Sequence, residues 1–268
     1  MLTDQTGKVV ISIKGGCVHN GMKPDGGAEN TGRSIRECID VLGQAGKKLD
    51  IWESARVDPD TPIENTMTTV KEFIDSGELG GVCLSECSAD TIRRASKVVK
   101  IEAVEVEFSL WSTEILDNGV ASTCAELEIP IVAYSPLGRG FLTGQIRSRA
   151  DIPEGDFRLS VPRFSEENFP KNLELVDELT KLADKKGCTP GQIGIAWIRA
   201  KSGKDGLPVI VPIPGATTGE RVEENLKEIE LTENDIKELD SLVASMPVVG
   251  GRYGAHAAGL LFGDSKAL

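Results

Sequence analysis

Two stretches of the sequence decide the fold: residues 129–140 read IPIVAYSPLGRG, and residues 213–225 read IPGATTGERVEEN. Each is a short apolar strand that runs into a turn rich in glycine, proline and hydroxyl side chains. The second turn then enters a helix whose first turn carries Arg221. Backbone N–H groups at a helix start favour an anion, and an arginine there adds a bidentate grip on phosphate. The two turns predict a barrel that holds a phosphorylated cofactor.

Length, charge and hydropathy indicate a single large domain, residues 1–268. A (β/α)8 barrel takes about 250 residues, and this chain has 268 residues with a hydrophobic content of 40%. The net charge of −12 argues against nucleic acid or an anionic membrane as the main partner. No apolar run approaches the roughly 20 residues of a membrane helix, and residues 1–7 do not resemble a signal peptide.

The cysteines and histidines predict no metal site. Six cysteines are scattered without a CxxC pair, and the two histidines are His19 and His256. This is not the ligand spacing of a zinc site. The pattern is typical of free, mostly buried thiols in a reducing compartment, so we expect a cytoplasmic protein.

Strand patterns alternate with helical patterns along the sequence. Helix start signals occur at residues 61–64 (TPIE), 189–192 (TPGQ), 217–220 (TTGE) and 232–235 (TEND). Such alternation predicts parallel strands with helical crossovers. The predicted strands are 8–13, 49–53, 81–84, 103–108, 130–133 and 207–212, and further helices are predicted near 33–43, 89–98, 114–126 and 168–187.

These elements predict an α/β fold, a (β/α)8 TIM barrel without its first two β-α units. Six strands are found where a complete barrel has eight. In a barrel, chemistry collects where strands end and loops begin, and the strand ends here are polar and rich in glycine. A long polar loop, residues 145–165, follows the fifth strand and is placed to cover the site.

The strand ends resemble those of the aldo-keto reductases, and the resemblance covers nearly the whole chain. Residues 9–16 (VVISIKGG) are similar to the family's third strand, which ends in TKGG, and residues 49–53 (LDIWE) to its IDLYQ strand. Residues 133–144 (AYSPLGRGFLTG) are a highly specific match. Residues 55–59 (ARVDP) look most like fungal pyridoxal reductases, so the chain resembles an N-terminally incomplete member of that group.

The resemblance implies NADPH as the cofactor and a small carbonyl compound as the substrate. Lys14 would be the one catalytic residue that remains of the family's tetrad. The implied cofactor-binding residues are Ser85 and Glu105 at the nicotinamide carboxamide, Tyr134 on the nicotinamide ring, Ser135, Leu137 and Arg139 at the pyrophosphate, Gly215 and Thr217 at the adenosine phosphates, and Arg221, Glu224 and Asn225 at the 2′-phosphate and adenine. A guanidinium beside a helix N-terminus suits a dianionic phosphate, which agrees with a preference for NADPH.

Several positions depart from the family pattern. The DTAxxYG stretch that carries the family's catalytic tyrosine and aspartate is absent from these 268 residues, and Ala55 stands where the catalytic histidine is usual. Lys14 has no partner that the sequence reveals. Glu105 is a carboxylate where an amide is usual, so it would either repel the cofactor phosphates or accept hydrogen bonds from the carboxamide.

Two functions are consistent with these residues. In the first, the protein is an NADPH-dependent aldo-keto reductase that reduces an aldehyde such as pyridoxal to an alcohol by hydride transfer. In the second, it is a truncated or non-catalytic member of the family that at most binds NADPH. A third hypothesis, a Schiff-base aldolase built on Lys14, is disfavoured by the two cofactor-type turns.

We predict poor or no reduction of pyridoxal by these 268 residues, because the family's proton-donating tyrosine is absent from them. The measurement is NADPH oxidation with pyridoxal, alongside a version extended by the two β-α units that the resemblance adds. Robust turnover by the 268 residues alone would contradict the prediction. It would direct the search for a proton donor to Lys14 and Tyr253.

Overall fold

The computed structural model describes residues 9–19, 21 and 23–268, and for residues 256 and 257 the backbone alone. The chain divides into two compact units. Unit 1 comprises Met1–Glu105, Asn118–Pro130 and Leu260–Leu268, and unit 2 comprises Val106–Asp117 and Ile131–Gly259. Each unit is therefore assembled from segments that lie far apart in the sequence.

Unit 1 is built on a parallel sheet with helical crossovers. Its strands, in sheet order, are β1 (Ser12–Gly15), β2 (Leu49–Ser54), β3 (Leu79–Ser85) and β4 (Ile101–Glu107), of which the part up to Glu105 belongs to this unit. Its helices are α1 (Ala28–Gln44), α2 (Ile63–Asp75), α3 (Ala89–Ser96) and α4 (Val120–Glu126). Because these pairings are parallel, the carboxyl ends of the strands lie at one edge of the sheet.

Unit 2 also pairs its strands in parallel, and most of it is helical. The strands β5 (Ile131–Tyr134) and β6 (Ile210–Ile213) are joined by a long connection. The helices are α5 (Phe169–Lys186), α6 (Pro190–Lys201), α7 (Gly219–Leu226), α8 (Glu233–Ser245) and α9 (Ala255–Ala258). The polar loop predicted at residues 145–165 forms three short 3-10 helices, Arg149–Asp151, Phe157–Ser160 and Pro162–Phe164.

Buried aromatic and aliphatic side chains fill the core of each unit. In unit 1, Trp52 on β2 and Met67 on α2 are completely buried. In unit 2, the ring of Trp111 stacks on Phe141 with 4.5 Å between centroids, and Phe164 packs edge-on against both. Aromatic pairs of this kind contribute about 0.5–1.5 kcal/mol beyond their buried area. The cluster anchors a 3-10 turn, Gly138–Thr143, directly after β5.

All six predicted strands are present, and the first differs most from its prediction. Residues 8–13 were expected, whereas β1 occupies Ser12–Gly15; residue 8 lies outside the described residues. The cause is local, because the Ile11 N–H donates to the Asp50 carboxylate at 2.8 Å instead of to a strand carbonyl. Val10 before it is 70% exposed. The shift places Lys14 within the strand.

The helix starts were predicted with mixed success. The capping boxes at Thr189 and Thr232 are confirmed. Helix α7 begins one residue later than predicted, with Thr218 as its cap. The single helix expected over residues 114–126 is wrong: a 3-10 turn, Glu114–Leu116, is separated from α4 by Gly119. The φ of +85° at Gly119 favours glycine and ends regular helix there.

The capping box expected at the start of α2 is also wrong. Pro62 occupies the N-cap position and provides no side-chain hydrogen bond. The Ile63 N–H instead donates to the Ser265 hydroxyl, 3.0 Å away and 202 residues later. Ser265 belongs to residues 263–266, here called the tail, which hydrogen-bonds to the start of α3 as well: the Ser88 N–H donates to the Gly263 carbonyl at 3.1 Å. The tail therefore closes two helix starts of unit 1.

The six cysteines are free, as predicted. Cys83, Cys87 and Cys124 are buried, and the other three are half-buried. Burial raises the pKa of Cys83 and Cys124 to about 12. These thiols therefore stay protonated at neutral pH and pack as small apolar side chains.

We expect Ser265→Ala to lower the free energy of unfolding by about 1 kcal/mol, because a helix N–H loses its buried cap. Ser265 is 7% exposed, so water does not readily replace the hydroxyl. Urea denaturation monitored by circular dichroism measures the change. The control is Ser241→Ala, an exposed serine within α8, for which no loss is expected. Equal midpoints for all three proteins would contradict the role of Ser265.

Candidate active site

Polar side chains gather at the carboxyl edge of the unit 1 sheet. Lys14 on β1 lies opposite Glu53 on β2, and Ser85 on β3 lies opposite Glu105 on β4. Because neighbouring parallel strands end at the same edge, their terminal side chains share one surface. The register thus brings together the three site residues predicted in this unit, Lys14, Ser85 and Glu105.

Lys14 has two carboxylate partners that the sequence did not reveal. Its Nζ lies 2.8 Å from Oε1 of Glu53 and 2.5 Å from Oε1 of Glu105. Burial lowers the pKa of Lys14, but the charges and hydrogen bonds of the two carboxylates outweigh burial and raise the pKa above 10.5. Lys14 is therefore a fixed ammonium at neutral pH.

Glu53 is the residue of this cluster that the sequence reasoning missed. Its side chain is 4% exposed, and its second oxygen accepts from the Ser12 hydroxyl at 3.4 Å. Burial raises the pKa of Glu53, and the Lys14 ammonium opposes that shift. A signal was present in the sequence: a glutamate directly after the apolar pair Ile51 and Trp52 of a strand needs a cationic partner when it is buried.

Ser85 presents a buried hydroxyl without a partner. The residue is 1% exposed, and its Oγ makes no hydrogen bond with any residue that the structure describes. An unpaired buried polar group costs about 1–3 kcal/mol, so an incoming donor or acceptor would be stabilised there. The next residue, Glu86, has a φ of +50°, which turns the chain sharply away from the strand end.

In unit 2, two predicted cofactor residues share one neighbour. The Tyr134 hydroxyl lies 3.3 Å from the Tyr253 hydroxyl. The Arg139 guanidinium lies over the Tyr253 ring, 4.5 Å from its centroid, and donates to the Arg252 carbonyl at 2.7 Å. Arg139 thus has a defined position within its own unit.

Arg139 also contacts a group of buried charged residues. Glu107 is 2% exposed and accepts from Arg139 at 3.1 Å and from Arg252 at 3.4 Å. The Ser112 hydroxyl donates to its other oxygen at 3.1 Å. Arg163, whose pKa burial lowers, donates to the same hydroxyl at 2.7 Å. Glu107, Arg252 and Arg163 had no predicted role, because their partners lie far away in sequence.

The turn after β5 has the tight backbone that its sequence indicates. Ser135 and Arg139 adopt φ values of +49° and +59°. The carbonyls of Ser135 and Leu137 accept from the N–H groups of the glycines that follow, at 2.9 and 3.0 Å. At Gly138 an added Cβ would lie 2.9 Å from the Trp111 ring, so only glycine fits.

The second predicted phosphate turn lies at the start of α7. The Thr218 hydroxyl accepts from the Arg221 N–H at 3.3 Å, and the Arg221 guanidinium donates to the Gln145 side chain at 3.1 Å. Asn225 donates to the Gly215 carbonyl at 3.4 Å, which closes the turn. Gly215, Thr217 and Arg221 are exposed.

Glu224 faces away from this turn toward α6. Its carboxylate accepts from the Thr189 hydroxyl at 2.9 Å, and its carbonyl accepts from the Gln192 amide at 3.0 Å. The contacts give Glu224 a structural role, joining α7 to the capping box of α6. Its predicted contact with adenine stays a prediction.

Within the residues that the structure describes, no histidine, cysteine, aspartate or glutamate cluster of three or more is arranged to hold a metal ion. No helix there is both long and apolar enough to cross a membrane.

Comparison with known proteins decides the family. Residues 2–244 match the model of the aldo/keto reductase family. The chain belongs to the aldo/keto reductase family. It is 42% identical over 224 residues to aldo-keto reductase yakc [NADP(+)] of Schizosaccharomyces pombe, covering 82% of this chain and 64% of that protein. It is 37% identical over 252 residues to "Probable pyridoxal reductase 2" of the same organism, covering 92% of this chain and 74% of the relative.

The family assignment agrees with solved structures. A glycerol dehydrogenase from Gluconobacter oxydans superimposes with a TM-score of 0.76 at 22% identity, covering 91% of this chain and 75% of the other. This likeness confirms the predicted fold class, α/β of the (β/α)8 barrel type. The chain thus belongs to a family of oxidoreductases, and it spans 64% of the length of the first relative named above.

We expect Glu107→Gln to lower the free energy of unfolding of this aldo/keto reductase by about 3 kcal/mol, because it removes the carboxylate that two arginines contact in the interior. Urea denaturation measures the loss. The matched control is Glu166→Gln: Glu166 is 87% exposed and pairs with Arg149 at 3.5 Å. A surface pair of this kind contributes at most about 1 kcal/mol. A loss at Glu107 no larger than that at Glu166 would contradict the buried role.

Proposed function

We propose that the protein is an NADPH-dependent aldo-keto reductase that reduces an aldehyde, pyridoxal or a similar compound, to an alcohol. The observation that carries the proposal is the Lys14 ammonium, held at a strand edge by two carboxylates, one of them in register with the unpaired Ser85 hydroxyl. A fixed cation at the carboxyl ends of parallel strands lies where catalytic groups collect in this fold. The names of the two fungal relatives support both the cofactor and the substrate class.

The residues of unit 1 fit the nicotinamide end of the cofactor. The Ser85 hydroxyl lacks a partner and can bond to a carboxamide. Glu105 can accept from the carboxamide N–H through the oxygen that does not contact Lys14. Glu105 is therefore compatible with the carboxamide, because one of its oxygens contacts Lys14 while the other can accept the hydrogen bond.

The residues of unit 2 fit the phosphate-bearing end. Arg221 is exposed on the first turn of α7, where the helix dipole also favours an anion. Tyr134 would stack on the nicotinamide, Ser135, Leu137 and Arg139 would line the pyrophosphate, Gly215 and Thr217 would bind the adenosine phosphates, and Glu224 and Asn225 would lie by the adenine. The arginine favours NADPH over NADH, since only NADPH carries the 2′-phosphate.

When bound, NADPH would supply the hydride for the carbonyl carbon. The part of Lys14 is electrostatic: its ammonium stabilises negative charge that develops on the substrate oxygen, and it lowers the pKa of any hydroxyl placed against it. Glu53 and Glu105 keep the ammonium in position. We further propose that the protein acts on small molecules in the cytoplasm.

A second function, NADPH binding without turnover, is favoured by one specific observation. Ala55 provides no imidazole at the end of β2, and the residue that faces Lys14 there is Glu53. Titration of NADPH fluorescence separates binding from no binding. Oxidation of NADPH with pyridoxal as the substrate separates a reductase from a binding protein. It is measured for this chain and for the same chain extended at its N-terminus. No turnover in either version would reject the reductase.

Arg221→Ala should weaken NADPH binding about tenfold, the effect of losing one charge-assisted phosphate contact of about 1.4 kcal/mol. NADH binding should stay unchanged. Fluorescence titration with each cofactor measures both dissociation constants. Arg93→Ala is the control, since it removes one positive charge from a surface pair with Glu126. Equal losses for NADPH and NADH would remove Arg221 from the 2′-phosphate site.

A further inference from the structure

Glu53 is a buried acid whose only ionic partner, among the residues that the structure describes, is Lys14. It lies in β2, one residue before the strand ends, so the sheet fixes its position. Its register partner on β1 is Lys14, so the pairing of the strands fixes the 2.8 Å contact. The contact therefore forms as a consequence of the sheet.

The groups around this contact leave one excess negative charge. Lys14 contributes one positive charge, and Glu53 and Glu105 contribute two negative charges. Cys83 on β3 also lies near, but its pKa of about 12 keeps the thiol neutral at physiological pH. Apart from Lys14, the hydrogen-bond partner of Glu53 is the Ser12 hydroxyl, which carries no charge. The charges that act on the Lys14 ammonium are therefore those of the two carboxylates.

Stability alone does not account for this arrangement. Burial raises the folded-state pKa of Glu53 above 4.5. A carboxyl with a raised pKa binds its proton more tightly in the folded state, so its contribution to stability is lost as the pH rises above 4.5. At neutral pH, the ionised carboxylate of Glu53 therefore costs folding free energy, which its attraction to the Lys14 ammonium offsets only in part. What Glu53 does provide is control over Lys14.

We propose that Glu53 is a positioning residue of the reductase: it holds the Lys14 ammonium at the strand edge and keeps it protonated. Glu105 contacts the same ammonium through one oxygen, and its other oxygen remains available to the cofactor. The proposal rests on the proposed function for its catalytic consequence. Its structural part, the hold of Glu53 on Lys14, stands on the geometry of unit 1 alone.

The first test measures Lys14 without turnover. Lysines of the full chain are reductively methylated with ¹³C-formaldehyde and a borohydride, the Lys14 signal is assigned with Lys14→Arg, and the signal is titrated by NMR. In the wild-type protein, Lys14 should titrate above 10.5, the ordinary lysine value. Titration at or below that value overturns the proposal before any glutamate is changed.

The second test compares variants in the same titration. Glu53→Gln should move the Lys14 titration to lower pH, so that the neutral fraction at a given alkaline pH rises severalfold. Glu53→Asp, which keeps the charge, should restore most of the shift. Glu102→Gln on β4 is the control, because Glu102 pairs with Lys100 at 2.8 Å and not with Lys14. A Lys14 titration in Glu53→Gln that matches the wild type would overturn the proposal.

The third test concerns the reaction. In the version of the protein that turns over, Glu53→Gln should shift the alkaline limb of kcat/KM to lower pH and leave the dissociation constant of NADPH unchanged. An unaltered pH profile would overturn the catalytic part. If Glu53→Gln shifts the Lys14 titration but no version of the protein turns over, the proposed reductase is rejected. The hold of Glu53 on Lys14 is then still supported.

Discussion

In unit 1, the candidate site depends on the parallel register of four strands. That register sets Lys14 opposite Glu53 and Ser85 opposite Glu105. Because side chains alternate between the two faces of a strand, a slip of one residue in any pair would separate the ammonium from its carboxylates. The hydrogen bonds of the sheet therefore also determine which charges meet, and no loop is required to assemble the cluster.

Unit 2 positions its functional candidates by a different means. Arg139 lies in a tight turn with a φ of +59°, and Glu107, the Arg252 carbonyl and the Tyr253 ring contact its guanidinium. Backbone in this region is strained for a residue other than glycine, so surrounding contacts must maintain it. The buried ion pairs and the Trp111–Phe141 stack provide those contacts. The turn is consequently held by contacts on several sides.

The sequence predicted the features that depend on near neighbours. The capping boxes of α6 and α8 are local patterns, and both were found, whereas the one expected before α2 was not. The partners of Lys14, the cap that Ser265 gives to α2 and the contacts of Glu107 join residues 32 or more positions apart, with the exception of the Ser112 contact. Pairings of that kind follow from tertiary register, which a single sequence does not display.

The bonds of the tail to α2 and α3 have a consequence for the order of events during synthesis. Unit 1 needs residues 260–268, yet its sheet strands are made within the first 107 residues. While the ribosome adds the segment that forms unit 2, the Ile63 and Ser88 N–H groups must be solvated or transiently paired elsewhere. A nascent chain that pauses before residue 260 therefore exposes two open helix ends.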